Sequence, residues 1–111
     1  MTDIFPIRAP GALRILAEGH ALGRPDVCAG VSALLYALAG WITDAAAAQG
    51  WDAYRWDARI GKGAASLRAP RTPEAETVFA FTLRGLAQVA AAAPEALRVH
   101  PAREQLERSK A

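Results

Sequence analysis

Two side chains suited to nucleophilic chemistry stand near each other in this sequence, the imidazole of His20 and the thiol of Cys28, the only cysteine among the 111 residues. They lie eight positions apart, too far to be neighbours on one helix but within reach of each other across a loop. A nearby imidazole lowers the pKa of a thiol and carries its proton. The pair is compatible with nucleophilic catalysis, although a lone cysteine is more often an inert, small, buried hydrophobic residue.

A helix that begins at the cysteine would favour the thiolate. Asp26 is a good N-cap residue, and Pro25 keeps the preceding chain extended. We expect the helix to cover about residues 27–49 and to end at Gly50. Cys28 would then lie in the first turn, where unpaired N–H groups and the helix dipole stabilise negative charge.

The residues around this pair carry a family signature. Gly19-His20-Ala21, a short glycine-containing loop, and then Asp26-Val27-Cys28-Ala29-Gly30-Val31-Ser32-Ala33 resemble the pattern of the ribosomal-processing cysteine protease (Prp) family. The family pattern is Gly-His-Ala, a flexible loop, and Asp-Ile/Val-Val-Cys-Ala-Ala/Gly-x-Ser-Ala. Here the loop is several residues shorter than usual, and the aspartate precedes the cysteine by two positions instead of three.

The resemblance implies specific roles for these residues. His20 would be the general base and Cys28 the nucleophile. The supporting or substrate-binding positions would be Gly19, Asp26, Ala29 and Ser32. Asp26 could either accept hydrogen bonds from the helix start or orient His20, and the residue types alone do not choose between these roles.

The elements that position the pair begin with a predicted hairpin. We expect residues 4–8 to form a short edge strand, because Pro6 cannot donate a ladder hydrogen bond. Residues 13–18 alternate between two faces, a period that indicates a second strand. This hairpin would deliver Gly19 and His20 to the end of a sheet, a common place for catalytic loops.

A second hairpin is predicted after the first helix. Residues 51–60 have Tyr54, Trp56 and Ile60 on one face of a strand, and a turn at 61–63 leads to a returning strand at 64–68. Aromatic residues mixed with arginines could suit a nucleic acid, but aromatic packing on a sheet is the more common use. The formal charge of +2 also gives no argument for nucleic-acid binding.

The rest of the chain predicts a second helix and a polar end. Thr72 is expected as its N-cap and Pro73 as its first residue, and Pro94 ends it. Residues 97–99 suit a final short strand. We therefore expect one domain over residues 1–100 and a polar tail over residues 101–111.

The predicted order is ββαββα, an α+β fold in which two helices pack on one face of an antiparallel sheet of about four strands. The resemblance implies the same arrangement and a homodimer. The first helix is apolar almost all round, which also favours a partner subunit.

Composition excludes several classes of protein. The sequence contains no metal-ligand cluster and no phosphate-binding glycine loop, so neither a metal nor a cofactor is expected. A single cysteine suits a reducing compartment. The first residues lack the pattern of a signal peptide, and Gly40 interrupts an apolar run that is short for a membrane span. We expect a cytoplasmic protein with no membrane or nucleic-acid partner.

The predicted function is that of a cysteine endopeptidase. The resemblance implies a protein substrate with a removable N-terminal extension, either a ribosomal protein precursor or a phage capsid or scaffold protein. The alternative is a non-catalytic homodimeric assembly module, in which Cys28 is a buried structural residue.

Overall fold

A six-stranded mixed sheet carries two helices on one face in the computed structural model, which describes residues 1–105. The elements in chain order are strands β1 (Thr2–Ala9) and β2 (Ala12–Gly19), helix α1 (Pro25–Gln49), a short 3-10 helix (Ala53–Arg55), strands β3 (Asp57–Gly61) and β4 (Ala64–Pro70), helix α2 (Pro73–Ala92), and strands β5 (Leu97–Val99) and β6 (Arg103–Glu104). The sheet order is β3-β4-β2-β1-β5, with β6 also paired to β1.

The α+β class is as predicted, but the sheet is larger than expected and is not purely antiparallel. The four predicted strands form its antiparallel part, in which β1 pairs with β2, β2 with β4, and β4 with β3. β5, expected as a final short strand, and β6 both run parallel to β1. Strands this short carry too little alternation to reveal a partner or a direction in the sequence.

β1 is an interior strand, and the prediction that Pro6 would place it at an edge is wrong. A two-residue turn of Pro10 and Gly11 joins β1 to β2. Hydrogen-bonded and non-hydrogen-bonded pairs alternate along the ladder from that turn, and Pro6 and Ile15 form a non-hydrogen-bonded pair. The nitrogen of Pro6 therefore points away from β2. On that side β5 pairs only as far as Ile4 and β6 pairs from Ile7, so the proline faces a gap and no ladder hydrogen bond is lost.

The core lies between the sheet and the helices. Alternate residues of β1, β2 and β4 point to the helical face and are buried, and both helices cover them. The largest fully buried side chains are Ile4, Ile15, Leu38, Ile42, Leu67, Leu86 and Leu97. Burying a side chain of this size contributes about 1.5–3 kcal/mol, so this layer is the main source of stability.

The segment after α1 departs from the prediction. Gly50 ends α1 in a left-handed conformation, as expected, but residues 51–60 are not one strand. Residues 53–55 form the 3-10 helix, and only the part from Asp57 onward joins the sheet. The ring of Trp51 packs edge-on against that of Trp41, with 6.1 Å between centroids. Trp51 therefore packs on α1 and does not lie on a strand face.

α2 begins as predicted. The Thr72 hydroxyl accepts a hydrogen bond from the Ala75 N–H at 3.1 Å, and Pro73 is the first helical residue. Beyond the helix, β6 lies within the predicted polar tail, so the sheet extends to Glu104. The remainder of that tail, residues 106–111, lies outside the described residues.

α1 is long and apolar enough, by length and composition, to cross a membrane, with a mean hydropathy of 1.4 over its most apolar 18 residues. Core helices pass the same test. Here the largest apolar side chains of α1 point into the core, and Leu38 is fully buried. The surface that α1 leaves exposed consists largely of small residues and Tyr36.

Candidate active site

His20 and Cys28 line one cavity of about 240 Å³. The end of β2 contributes Gly19 to it, and the first turns of α1 contribute Ser32. The third wall is the turn between β3 and β4, which includes Gly63. Three elements distant in sequence therefore meet around the thiol.

Cys28 is the fourth residue of α1 and is half-buried. Its backbone N–H donates to the carbonyl oxygen of Arg24 at 3.1 Å, so this N–H already has a partner. The thiol lies 3.6 Å from the carbonyl oxygen of Ala21, to which it donates. Cys28 is thus two positions further into the helix than predicted, and its sulfur faces the loop that leads from His20.

The N-cap of α1 is Arg24, and the prediction of Asp26 as the N-cap is wrong. Proline is favoured at the first helical position, and Pro25 occupies it, so the helix begins before Asp26. Both oxygens of Asp26 accept hydrogen bonds from the Arg24 guanidinium at 3.1 Å. These bonds are the main reason that the pKa of Asp26 lies below its ordinary value, and the backbone N–H of Val27 adds to the effect.

Asp26 does not contact His20. Its partner Arg24 also reaches Glu95 at 3.1 Å, which links the start of α1 to the segment after α2. Asp26 is exposed and does not line the cavity. The arrangement therefore gives Asp26 a role at the helix start and no role in orienting the imidazole.

His20 is held from two sides. The preceding residue, Gly19, has φ of 96° and lies so close to the main chain of Met1 that a Cβ there would collide with it. Its N–H donates to the carbonyl oxygen of Gly63 at 2.9 Å, and the carbonyl oxygen of His20 accepts from the Met1 nitrogen at 2.8 Å. Main-chain contacts thus fix the position of His20 at the end of β2.

Gly63 forms the surface against which the imidazole lies. An ideal Cβ built on Gly63 would be only 2.5 Å from Nε2 of His20, and Gly63 has φ of 74°. Sequence reasoning treated the Gly61–Gly63 segment only as a turn and missed this contact. The signal available was the second glycine of that turn, since a positive φ favours glycine.

The structure brings together four of the six predicted site residues, namely Gly19, His20, Cys28 and Ser32. Ala29 is exposed on α1 and, like Asp26, does not line the cavity. Among the hydrogen bonds of residues 1–105, none joins His20 to Cys28. The two residues line the same cavity.

Other histidine and acidic side chains lie elsewhere. His100 is on the opposite face of the sheet, where its ring stacks on Phe5 with centroids 4.4 Å apart and its Nε2 lies 2.9 Å from Asp3. Within residues 1–105 no three His, Cys, Asp or Glu side chains are grouped as metal ligands would be. The cavity that holds His20 and Cys28 is also lined by Ser32 and Lys62.

Comparison with known proteins extends this description. No protein-family model matches the sequence, and no curated protein does either. Among solved structures, the Streptococcus mutans protein SMU.848 is 22% identical, with a TM-score of 0.66 over 95% of this chain and 96% of its own. The essential ribosomal processing protease Prp from S. aureus, in complex with a covalently linked product peptide, is 21% identical with the same TM-score, over 95% of this chain and 100% of its own.

The same S. aureus protease in complex with a substrate peptide gives 20% identity and a TM-score of 0.66. The alignments cover 95% of this chain. This chain therefore has the fold of the ribosomal processing protease Prp.

Proposed function

We propose that this chain is a cysteine endopeptidase that removes an N-terminal extension from a protein substrate, with Cys28 as nucleophile and His20 as general base. One observation carries the proposal: the histidine and cysteine of a Prp-like motif line the same cavity in a chain with the Prp fold. Because the likeness in sequence is low, the activity is inferred from the site and not from the fold.

The proposed reaction has two steps. The imidazole of His20 takes the proton from the thiol, and the sulfur attacks the scissile carbonyl carbon. His20 then gives its proton to the leaving amine, and the carbonyl carbon remains bound to sulfur as a thioester. A water molecule, deprotonated by His20, attacks the thioester, and the thiol returns as the carboxylate product leaves.

The start of α1 supplies only part of the stabilisation of the oxyanion. The N–H of Cys28 is bonded to Arg24, and the N–H groups of Asp26 and Val27 are directed at the Asp26 carboxylate. The helix dipole still favours negative charge near the sulfur. We therefore expect the oxyanion to be bound partly by other donors of the cavity or of the substrate, each worth about 3–4 kcal/mol in comparable sites.

A protein substrate is supported by the S. aureus Prp structures, which hold a substrate peptide and a product peptide. The substrate is either a ribosomal protein precursor or a phage capsid or scaffold protein. Incubation of the purified protein with both classes of precursor, followed by mass spectrometry of the new N-termini, would identify it. The cytoplasm, where Cys28 stays reduced, is the compartment that this chemistry favours.

We also propose a homodimer, with the face of the sheet that the helices leave free as its interface. Phe5, Leu16 and Ser66 form a row across the strands, and the first two are half-buried apolar residues. An acidic pair, Asp3 and Glu18, lies to one side of the row. To the other side Arg14 is paired with Arg68, across β2 and β4. A two-fold axis along the row would place the acidic side of one copy over the basic side of the other.

The test of the activity uses Cys28→Ala and His20→Ala. Cys28→Ala should lose all cleavage while the unfolding midpoint changes little, because it deletes one half-buried sulfur. His20→Ala should also lose activity, because the variant lacks the base that takes the proton from the thiol. Full cleavage by Cys28→Ala would falsify the nucleophile assignment. An inert thiol in the native protein would instead favour the non-catalytic assembly module.

A further inference from the structure

A groove continues the candidate active site along α1. A second cavity of about 420 Å³ lies between α1 and the edge strand β3. Ile60 lines both this cavity and the one that holds Cys28, so the two are adjacent. The second cavity leads away from the thiol along the helix, past Tyr36 and Gly40 to Thr43.

The helical wall of this groove is one stripe of α1. Cys28, Ser32, Tyr36 and Gly40 are spaced four residues apart, and residues at this spacing lie on one side of a helix. The stripe from Cys28 to Gly40 is about 18 Å long at 1.5 Å per residue. An extended peptide covers that length with about five or six residues, the size of segment that proteases bind beside a scissile bond.

The opposite wall is the free edge of β3. A two-residue turn of Lys62 and Gly63 joins β3 to β4, which makes Gly61 and Ala64 a hydrogen-bonded pair. Alternation from that pair directs the backbone N–H and C=O of Ala58 and Ile60 away from β4. Within residues 1–105, no other element hydrogen-bonds to these groups. The edge next to the groove can therefore pair with one more strand.

The helical wall of the groove leaves room for a large side chain at Gly40. Gly40 lies within α1, and a Cβ built on it would have nothing within 4 Å. Two other residues that line the groove, Ala39 and Ala58, are also small. Tyr36 stands beside this space with 61% of its surface exposed. An aromatic or large aliphatic side chain of a ligand would fill the space and cover the tyrosine ring.

From these features we infer that the groove binds an extended segment of the protein substrate as an additional strand on β3, with a large apolar side chain seated on Gly40 beside Tyr36. The inference rests on the proposed function and deepens it. It makes the groove a specificity site, whose occupant is the segment that flanks the scissile bond. Main-chain pairing gives the segment its register, and the pocket at Gly40 selects one side chain.

A pair of matched variants tests the pocket. Gly40→Leu fills it, and because Gly40 is in open space on a helix, the substitution should leave the fold intact. Ala37→Leu adds the same bulk to an exposed position of α1 outside the groove. The probe is a peptide found to be cleaved by the native protein in a library of bacterial proteome peptides. It is synthesised in a long form that reaches Gly40 and a short form that ends near Ser32.

For the long form, Gly40→Leu should raise KM by about tenfold or more, the effect of losing one well-buried apolar side chain. For the short form it should behave as the native protein does. Ala37→Leu should match the native protein on both. Equal KM values for the native protein and Gly40→Leu on the long form would overturn the inference while leaving the protease assignment intact.

Hydrogen exchange tests the strand pairing independently. With the long peptide bound to Cys28→Ala, the amides of Ala58 and Ile60 should exchange at least about tenfold more slowly than without it. Unchanged exchange at both amides would show that the peptide does not pair with β3. If the native protein cleaves no peptide and Cys28 is unreactive toward iodoacetamide, the proposed function itself fails, and this inference fails with it.

Discussion

The imidazole of His20 depends for its position on a glycine from a different element. Gly63 lies in the turn between β3 and β4, and the imidazole ring rests against it. The two residues are far apart in the sequence, so the motif around Cys28 gives no sign of the contact. The site is therefore built from a loop, the start of α1 and the turn of a hairpin that follows α1.

Gly63→Ala should disable the site with a modest loss of stability. The new methyl group would lie 2.5 Å from Nε2 of His20, so the ring must move. A left-handed alanine costs about 1–2 kcal/mol. A displaced base should lower kcat/KM by about a hundredfold, as a misplacement of about 1 Å does elsewhere. Peptide cleavage and urea denaturation measure the two effects.

Gly61→Ala is the control for this variant. Its Cβ would be 3.9 Å from the carbonyl oxygen of Ala64, an ordinary contact, and its backbone is not left-handed. It should keep most of the activity. If Gly63→Ala were as active as Gly61→Ala, the hairpin turn would not position the imidazole.

The residue types of the site could be predicted from sequence, but their surroundings could not. The spacing of His20 and Cys28 and the family pattern identified two residues that do share a cavity. The cap was assigned to Asp26 because an aspartate is a good N-cap, whereas Pro25 moved the helix start by fixing the first helical φ. Gly63 was missed because contacts between distant elements leave no local pattern.

The start of α2 is tied to the first hairpin by charge. Glu76 accepts hydrogen bonds from Arg71 at 2.8 Å and from Arg8 of β1 at 3.1 Å. These two guanidinium groups, Arg71 first, hold the pKa of Glu76 below its ordinary value. The contact links a helix to a strand almost at the other end of the chain.

Glu76→Gln should therefore destabilise the protein more at neutral pH than in acid. Because the pKa is lower in the folded chain, the carboxylate stabilises the fold above its unfolded pKa, and this contribution is lost as pH falls through the folded pKa. The pairs are partly exposed, so we expect a loss of about 1 kcal/mol or less at pH 7. Urea midpoints at about pH 7 and about pH 3 measure the difference.

Glu74→Gln is the matched control, because Glu74 lies in the same helical turn and its one side-chain hydrogen bond within residues 1–105 is a 3.5 Å contact with Gln49. It should change stability little at either pH. If Glu76→Gln lost as much stability in acid as at neutral pH, the loss would not be electrostatic in origin.

Elements with strong periodicity could be predicted, and weak ones could not. β2, both helices and the cap at Thr72 follow from local pattern. The direction of β5 and the position of β1 inside the sheet depend on pairing between residues such as Thr2 and Leu97. In a single sequence, the partner of a strand is visible only through the pattern of its buried residues. A strand of three residues has too few buried positions for such a pattern.

The complete molecule is expected to be a dimer of two chains in solution. The large apolar side chains of α1, whose number favoured a partner subunit, pack largely on the chain's own core. Leu16→Glu places a charge in the apolar row on the open sheet face and should give a mass of one chain by light scattering. Leu22→Glu, at a loop position that is 87% exposed, should leave the dimer unchanged. A native mass of one chain at micromolar concentration would exclude the dimer.

The pairing of β1 with β5 and β6 has a consequence for how the chain reaches its fold. The first strand receives its last partners only when residues 97–104 are available, so an interior strand remains an open edge until nearly all of the described chain has been synthesised. Contacts so distant in sequence slow folding, typically into the range of milliseconds to seconds. Ile4 and its neighbours would meanwhile present an unpaired, apolar strand. We expect nascent or truncated chains that lack residues 97–104 to aggregate through this strand. Pairing with those residues would remove the open edge.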